Sequence, residues 1–192
     1  ELQVEREGDA LSVLPLLVYG DPAIARVDKG ALVLMGDVLP PRDEDEEQRL
    51  SRRLKDELGL TPGFRENFPG DRGVAFAAKL SRWKGGIAGE AHRQFFMAAP
   101  LVPRLSTAGD TFEMFFESPE GRGPGARNLK ADAGAAVKAW RNGESLVPLL
   151  DGGFAPLPAD WMAKYGHRVA DLLAAKNASD GTLPASALPD LA

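Results

Sequence analysis

The sequence predicts an α+β protein, and three features lead to this fold class. Between residues 11 and 37, short apolar runs rich in Val, Ile and Leu are broken by Gly-Asp-Pro and Asp-Lys-Gly, as in antiparallel strands joined by turns. From Asp43 the apolar period lengthens to that of an amphipathic helix. Strand-type and helix-type segments then return after residue 99, so we expect two related sheet-plus-helix lobes, residues 1–98 and 99–192.

The first lobe is expected to open with a meander of three strands in residues 11–37. Pro15 lies in its first apolar run, and because proline cannot donate to a β-ladder it indicates an edge strand or a bulge.

A helix is predicted from Asp43 to Gly59. Leu50, Leu54 and Leu58 recur every four residues, acidic residues fill the first turn and glycine ends the segment. Three pairs on it have the spacing of surface salt bridges: Asp45/Arg49, Arg52/Asp56 and Arg53/Glu57.

A second helix is predicted after the Gly/Pro loop that follows. Phe76, Leu80 and Trp83 mark one face of it, and Gly85-Gly86 ends it.

The second lobe is expected to begin with two strands. The run "APLVPRLS" is extended in character, and "DTFEMFFES" alternates Phe112, Met114 and Phe116 with its other residues. Asp132 is placed to cap a short helix that ends at Asn142-Gly143 and carries Ala136, Val137 and Trp140 on one side.

The segments "SLVPLL" and "GFAPL" predict a hairpin around Asp151-Gly152-Gly153. A last helix follows from Pro158, and its expected buried stripe is Trp161, Tyr165, Val169 and Leu172. Gly166 inside this helix costs about 1 kcal/mol relative to alanine. We therefore expect a close packing contact at that glycine.

The composition narrows the function classes. With 192 residues, a net charge of −5 and no cysteine, the chain has neither disulfides nor thiolate metal sites, and neither half is basic. No apolar run approaches the roughly 20 residues of a membrane helix, so we expect no membrane partner and a cytoplasmic location, nucleoid-associated at most. The sequence begins with Glu rather than Met, and we expect it to be a piece of a longer protein.

Clustered carboxylates occur in "RDEDEEQR", residues 42–49. The favoured interpretation is an acidic helix N-terminus stabilised by the helix dipole. The alternative is a divalent-cation site or an acid–base pair, which the flanking arginines disfavour.

One segment, "EGRGPGARNLK" at residues 120–130, resembles a ligand loop. Its glycines allow backbone amides to approach a phosphate, and Arg122, Arg127 and Lys130 supply positive charge, which Lys138 and Arg141 on the next helix would extend. The segment lacks the Gly-Lys-Ser/Thr end of a P-loop, so it is not a nucleotide site. It is either a flexible connection or a contact to a nucleic-acid backbone.

The only two histidines, His92 and His167, lack the spacing of a metal site. We expect structural roles for both, and the alternative is a small hydrolase or metal enzyme built from them and acidic residues. The tryptophans Trp83, Trp140 and Trp161 are expected in the core. We therefore predict no catalytic residue and no metal ligand.

Four segments, in order along the chain, resemble the N-terminal helicase-associated region of bacterial Swi/Snf-family DNA helicases, which are DEAD/DEAH-box-like ATPases. They are "LLVYGDPAIARV", the "RDEDEEQRL" helix, the "FFESPE" strand, and "AWRNGESLVPLLDGGFAPLPADWMAKYGHRVADLL". The similarity runs from about Leu11 to Leu188.

The resemblance implies an accessory, regulatory module that precedes a two-lobed ATPase motor. Its partners would be that motor, in the same chain, and DNA. ATP and Mg²⁺ would bind only in the motor, because no Gly-Lys-Ser/Thr motif occurs in these residues. The alternative functions are a nucleic-acid-binding module that uses the region from Arg122 to Arg141, and the small hydrolase.

Overall fold

The computed structural model describes residues 1–28, 30–108, 111–119 and 128–178. Its helices and mainly antiparallel sheets confirm the predicted α+β class.

The chain divides into two compact units, Glu1–Phe95 and Phe96–Ala192. The sequence analysis places the boundary slightly later, between residues 98 and 99. Residues 96–98 are hydrogen-bonded within the second unit, since the Ala98 N–H donates to the carbonyl oxygen of Phe154 at 2.8 Å.

The first unit contains seven strands and two helices among its described residues. They are β1 (Leu2–Glu7), β2 (Ala10–Pro15), β3 (Leu17–Tyr19), β4 (Ala25–Asp28), β5 (Ala31–Leu34), α1 (Glu44–Leu58), β6 (Glu66–Pro69), α2 (Gly70–Leu80) and β7 (Ile87–Ala88). A 3₁₀ turn, Ala91–Gln94, follows.

These strands form two sheets. The larger has the order β6-β2-β1-β7, antiparallel except for the β1–β7 pair, and the smaller is the antiparallel meander β3-β4-β5. The predicted single meander is therefore split, because β2 pairs with β1 and β6. Pro15 lies at the last position of an interior strand, neither on an edge nor in a bulge, and at a strand end its missing N–H disturbs the ladder least.

Helix α1 has the predicted ends. The Asp43 carboxylate accepts a backbone N–H of the first turn at 2.9 Å, and Gly59 follows in the left-handed conformation, φ 75°. Leu54 and Leu58 are buried as expected, whereas Leu50 is exposed.

Only one of the three predicted ion pairs of α1 forms among the described residues. Arg53 Nε contacts Glu57 Oε1 at 2.8 Å, but Arg49 pairs with Glu46, and Arg52 donates to a side-chain amide. Long exposed side chains reach several neighbours at similar cost, so spacing alone does not select the partner.

Helix α2 buries Phe76 and Leu80, as predicted. Trp83 is not on the helix, because α2 ends at Leu80; the indole is half-buried beyond it, with the Arg53 guanidinium 4.8 Å from the ring centroid.

The second unit contains five strands and two helices among its described residues. They are β8 (Val102–Ala108), β9 (Thr111–Ser118), β10 (Leu129–Ala131), α3 (Ala133–Arg141), β11 (Leu146–Pro148), β12 (Phe154–Pro156) and α4 (Ala159–Ala178). Its antiparallel sheet has the order β10-β9-β8, so the two units differ in strand number and order.

The predicted hairpin is confirmed. Strands β11 and β12 pair antiparallel around Gly152 and Gly153, both at positive φ, and the Leu150 N–H donates to the Lys130 carbonyl at 2.8 Å, which ties the hairpin to β10. Asp132 caps α3 by accepting the Ala135 N–H at 2.9 Å, as predicted.

The buried stripe of α4 is displaced from the predicted one. The buried residues are Met162, Gly166, Val169 and Ala170. Of the predicted stripe, Val169 is therefore buried, and the other three residues are half-buried: Trp161, Tyr165 and Leu172. The predicted close contact at Gly166 is confirmed, since an added Cβ would lie 2.9 Å from the ring of Trp140. Trp140 belongs to α3, and its ring fills the space over the glycine where the two helices meet.

Candidate interaction surfaces

The predicted cationic residues fall into three groups. Arg122 and Arg127 lie outside the described residues. Lys130 is exposed on β10, with its ammonium nitrogen 4.5 Å from the centroid of the Phe115 ring.

Lys138 and Arg141 lie on the last two turns of α3. Both line a shallow depression of about 320 Å³ between α3 and α4, whose apolar lining includes Val137, Ala170 and Leu173. No acidic residue lines it, and neither cation has an ion pair among the described residues. Cations are also favoured at a helix C-terminus by its dipole, so their position alone does not require a ligand.

The acidic cluster of residues 42–49 is held by arginine. Arg42 contacts both carboxylate oxygens of Glu47 at 3.0 Å, and the Tyr19 hydroxyl donates to Glu47 Oε1 at 2.6 Å. The same hydroxyl accepts the Asp43 N–H at 3.0 Å. This network fixes the start of α1 to the end of β3.

The network also shifts three acid–base equilibria. The hydrogen bonds from Arg42 lower the pKa of Glu47 below its ordinary value of 4.5, and the same contact raises the pKa of Arg42. Burial, followed by the bond to Glu47, raises the pKa of Tyr19. Glu47 therefore stays ionised and engaged, which is the behaviour of a structural carboxylate.

No group of three or more His, Asp or Glu side chains that could hold a metal ion occurs within the described ranges. His92 lies in the 3₁₀ turn of the first unit, where its Nδ1 is buried without a hydrogen-bond partner among the described residues. His167 is exposed on α4 and packs edge-on against Trp140, with ring centroids 4.8 Å apart.

A surface that the sequence analysis missed is the apolar strip, which we define as residues 31–39. Its exposed large side chains include Met35, Val38 and Leu39, at 60%, 61% and 70% exposure, together with Val33 and Leu34. Soluble proteins rarely leave this many neighbouring apolar side chains in water unless the surface is used for contact.

The strip also has a backbone edge without a further strand among the described residues, because β5 pairs there with β4 alone and ends its sheet. The Met35 N–H points inward and donates to the Ile24 carbonyl at 2.8 Å. Since N–H directions alternate along an antiparallel strand, Leu32 and Leu34 present theirs outward. Apolar side chains and unpaired amides on one edge form a template for a further strand.

The sequence shows that residues 31–39 are apolar, but it does not show that their side chains are exposed. "ALVLMGDVL" is as apolar as a core strand, and periodicity does not tell whether the side chains are covered by this chain or by another.

Comparison with family models, with curated proteins and with solved structures finds no match to this chain. Among the described residues, no helix has both the length and the apolar character needed to cross a bilayer.

Proposed function

We propose that this chain is a non-catalytic accessory domain of a bacterial Swi/Snf-type ATP-dependent DNA helicase, and that it regulates or positions the motor by direct contact. The family assignment rests on the ordered resemblance of the four sequence segments. The mode of action rests on the apolar strip, the exposed surface best suited to another protein.

The strip fits a protein partner rather than a small molecule. It consists of a strand edge followed by a short apolar segment, and it offers backbone hydrogen bonds along one side. A segment of the motor that adds a strand to β5 would satisfy the outward amides of Leu32 and Leu34 and cover Met35, Val38 and Leu39.

The hydrogen-bond network around Glu47 is a second observation that supports the family assignment. Tyr19 belongs to the first of the resembling segments and Arg42 to the second, and both bind the same carboxylate. A direct contact between them gives a physical reason for the two segments to occur together, and it anchors the residues that follow the strip.

The test compares ATP hydrolysis by the motor with and without residues 1–192. We expect the rate, its stimulation by DNA or the affinity for DNA to change when the domain is removed. If all three are unchanged, the proposal fails.

A strip variant and a control variant test whether the apolar strip is the surface that contacts the motor. In the full-length protein, Val38→Glu with Leu39→Glu should reproduce the effect of removing the domain, because burying two carboxylates against an apolar partner is costly. Leu150→Glu is the control and is compared with Leu39→Glu alone: Leu150 is 68% exposed, close to the 70% of Leu39, but lies on the hairpin of the second unit. If the control has the same effect as Leu39→Glu, the strip is not the contact.

A second candidate function is binding to the nucleic-acid backbone through Lys130, Lys138 and Arg141, together with Arg122 and Arg127. It is favoured by the two cations, Lys138 and Arg141, that border the depression between α3 and α4 and have no ion pair within the part of the chain that the structure describes. Affinity for duplex DNA should then fall steeply with salt and weaken in the Lys138→Ala, Arg141→Ala double variant. Unchanged affinity in that variant would exclude Lys138 and Arg141 from the contact.

A further inference from the structure

A second positive surface lies on the first unit, along α2. Residues 70–86 contain four cations and one carboxylate, Asp71, in a chain whose net charge is −5. All four cations are exposed: Arg72 and Lys79 on α2, Arg82 and Lys84 directly after it. We call these four residues the α2 cationic surface.

The helix places Arg72 and Lys79 along one flank of its buried face, and the Arg72 guanidinium lies 5.8 Å from the centroid of the Phe68 ring. Phe76, Ala77 and Leu80 are buried on the inner side of α2. Arg72 and Lys79 are seven residues apart, which is two turns or about 10 Å of helix at about 1.5 Å per residue. Arg82 follows in the turn after the helix, where its backbone N–H donates to the Lys79 carbonyl at 3.0 Å, and its side chain lines the same depression as Lys79.

The cations of this surface differ from most arginines of the first unit. Six arginines there have an acidic partner within ion-pair distance: Arg6, Arg42, Arg49, Arg53, Arg65 and Arg93. Within the described residues, no acidic partner is found for any of the four cations of the α2 surface.

Two acids beside the surface, Asp71 and Glu57, already have partners. The Asp71 carboxylate accepts the backbone N–H of Arg72 at 2.8 Å. Glu57 lines a depression of about 230 Å³ together with Lys79 and Arg82, but it is bound by Arg53 at 2.8 Å. With four cations and one carboxylate, residues 70–86 keep a net charge of +3, which an external anion can neutralise.

The residues between the cations indicate which anion fits. Apart from Asp71, the exposed positions of α2 between and beside its cations are small, Ala75 and Ala78, and the half-buried Trp83 lies between Arg82 and Lys84. A protein interface needs a large apolar or aromatic core, and a helix that lies on a membrane needs large apolar side chains on its buried face. Within the described residues, Trp83 is the one large aromatic side chain that lines the depression with Lys79 and Arg82, and the Arg53 guanidinium already lies 4.8 Å from its ring centroid. Small residues between cations instead let the helix approach a repeating row of phosphates closely.

We propose that the α2 cationic surface binds the phosphate backbone of duplex DNA, independently of base sequence. A duplex carries one phosphate per about 1.7 Å of its axis, so a row of cations about 10 Å long meets several of them. The contact is separate from the cations of the second unit, and it does not depend on the proposed contact with a motor.

The test is fluorescence anisotropy of residues 1–192 with two unrelated labelled duplexes of about 20 base pairs, over a series of KCl concentrations. If each cation neutralises one phosphate, the plot of log affinity against log salt has a slope of about −3.6, so binding is about 50-fold weaker at about 150 mM than at about 50 mM KCl. The two duplexes should bind alike.

The variant Arg72→Ala, Lys79→Ala, Arg82→Ala, Lys84→Ala should lose most of this binding and nearly all of the salt dependence. A control variant removes the same charge from arginines that have acidic partners: Arg6→Ala, Arg49→Ala, Arg65→Ala and Arg93→Ala. It should keep the salt slope. Circular dichroism checks that both variants fold. If the first does not, the single variants Arg72→Ala and Lys84→Ala should each lower the slope by about 1.

Several results would overturn the proposal. They are no binding by the wild type at low salt, equal losses in the two quadruple variants, or loss of binding in Lys138→Ala, Arg141→Ala with none in the α2 variant. Binding to phosphatidylserine vesicles or to polyglutamate as tight as to DNA would also contradict it, since the surface would then be a general anion site.

Discussion

Gly166→Ala tests the packing of the second unit at a single atom. The new Cβ would lie 2.9–3.0 Å from three carbon atoms of the Trp140 ring, whereas carbon atoms in favourable contact are about 3.5–4.0 Å apart. Overpacking of this kind costs about 1–3 kcal/mol. Replacing glycine in a helix interior returns about 1 kcal/mol. We therefore expect a net loss of up to about 2 kcal/mol in the free energy of unfolding.

The assay is urea unfolding followed by far-ultraviolet circular dichroism, repeated in a Trp140→Ala background. With the indole removed, the clash disappears and only the helix propensity remains, so Gly166→Ala should then stabilise the protein by about 1 kcal/mol. The sign of the substitution should thus reverse between the two backgrounds. If Gly166→Ala stabilises the wild type, the close approach of the ring is not real and the orientation of α4 is wrong.

Three further substitutions test other parts of the structure. Asp132→Ala should cost about 1 kcal/mol in urea unfolding because it removes the cap of α3, whereas Asp132→Asn should be nearly neutral; equal losses would contradict the cap. Glu47→Gln should destabilise the protein at neutral pH. The Arg42 contact lowers the pKa of Glu47 in the folded state, so the stability that the Glu47 carboxylate contributes is present above 4.5, the ordinary pKa, and is lost as the pH falls through the depressed value. Urea unfolding at several pH values should therefore show the difference in stability between variant and wild type disappearing in acid. A difference that stays constant with pH would refute the linkage. Gly73→Ala should destabilise more than the alanine substitution in α4, because its Cβ would lie 2.6 Å from the carbonyl oxygen of Phe68, a backbone atom that cannot turn away; a smaller loss would contradict this.

Local signals made part of the fold predictable. The ends of α1 follow from Asp43 and Gly59, whose side chain and conformational freedom act within a few residues of the helix terminus. The hairpin of the second unit follows in the same way from Gly152 and Gly153. In each case the physical cause lies in neighbouring residues, so sequence reasoning reaches it.

Pairing between distant segments was not predictable. Strand β1 was not recognised, and β2 was grouped with the meander instead of with β1 and β6, because apolar alternation does not name the partner of a strand. Trp83 keeps the spacing of the α2 face but lies beyond the end of the helix. The buried stripe of α4 was misplaced because a glycine has no apolar side chain and so adds nothing to a hydrophobic pattern. In the structure, however, the ring of Trp140 packs directly against Gly166.

The two surfaces escaped prediction for a related reason. The apolar strip has the composition of a core strand, and the structure is needed to show that β5 is an edge strand whose apolar side chains the described residues leave exposed. The α2 cationic surface is dilute in sequence, four charges in 17 residues, and it becomes a row only when the helix brings residues two turns apart onto one side. The lack of acidic partners could be seen only with side chains in place.

The contact between the strip and a motor is tested most directly by amide hydrogen exchange. Exchange of the backbone amides of residues 31–39 should be compared between residues 1–192 alone and the full-length protein that carries the motor. The proposed function predicts fast exchange at Leu32 and Leu34 in the isolated chain and marked slowing in the full-length protein, because an added strand would bond their outward N–H groups. Equal exchange rates in the two proteins would contradict it.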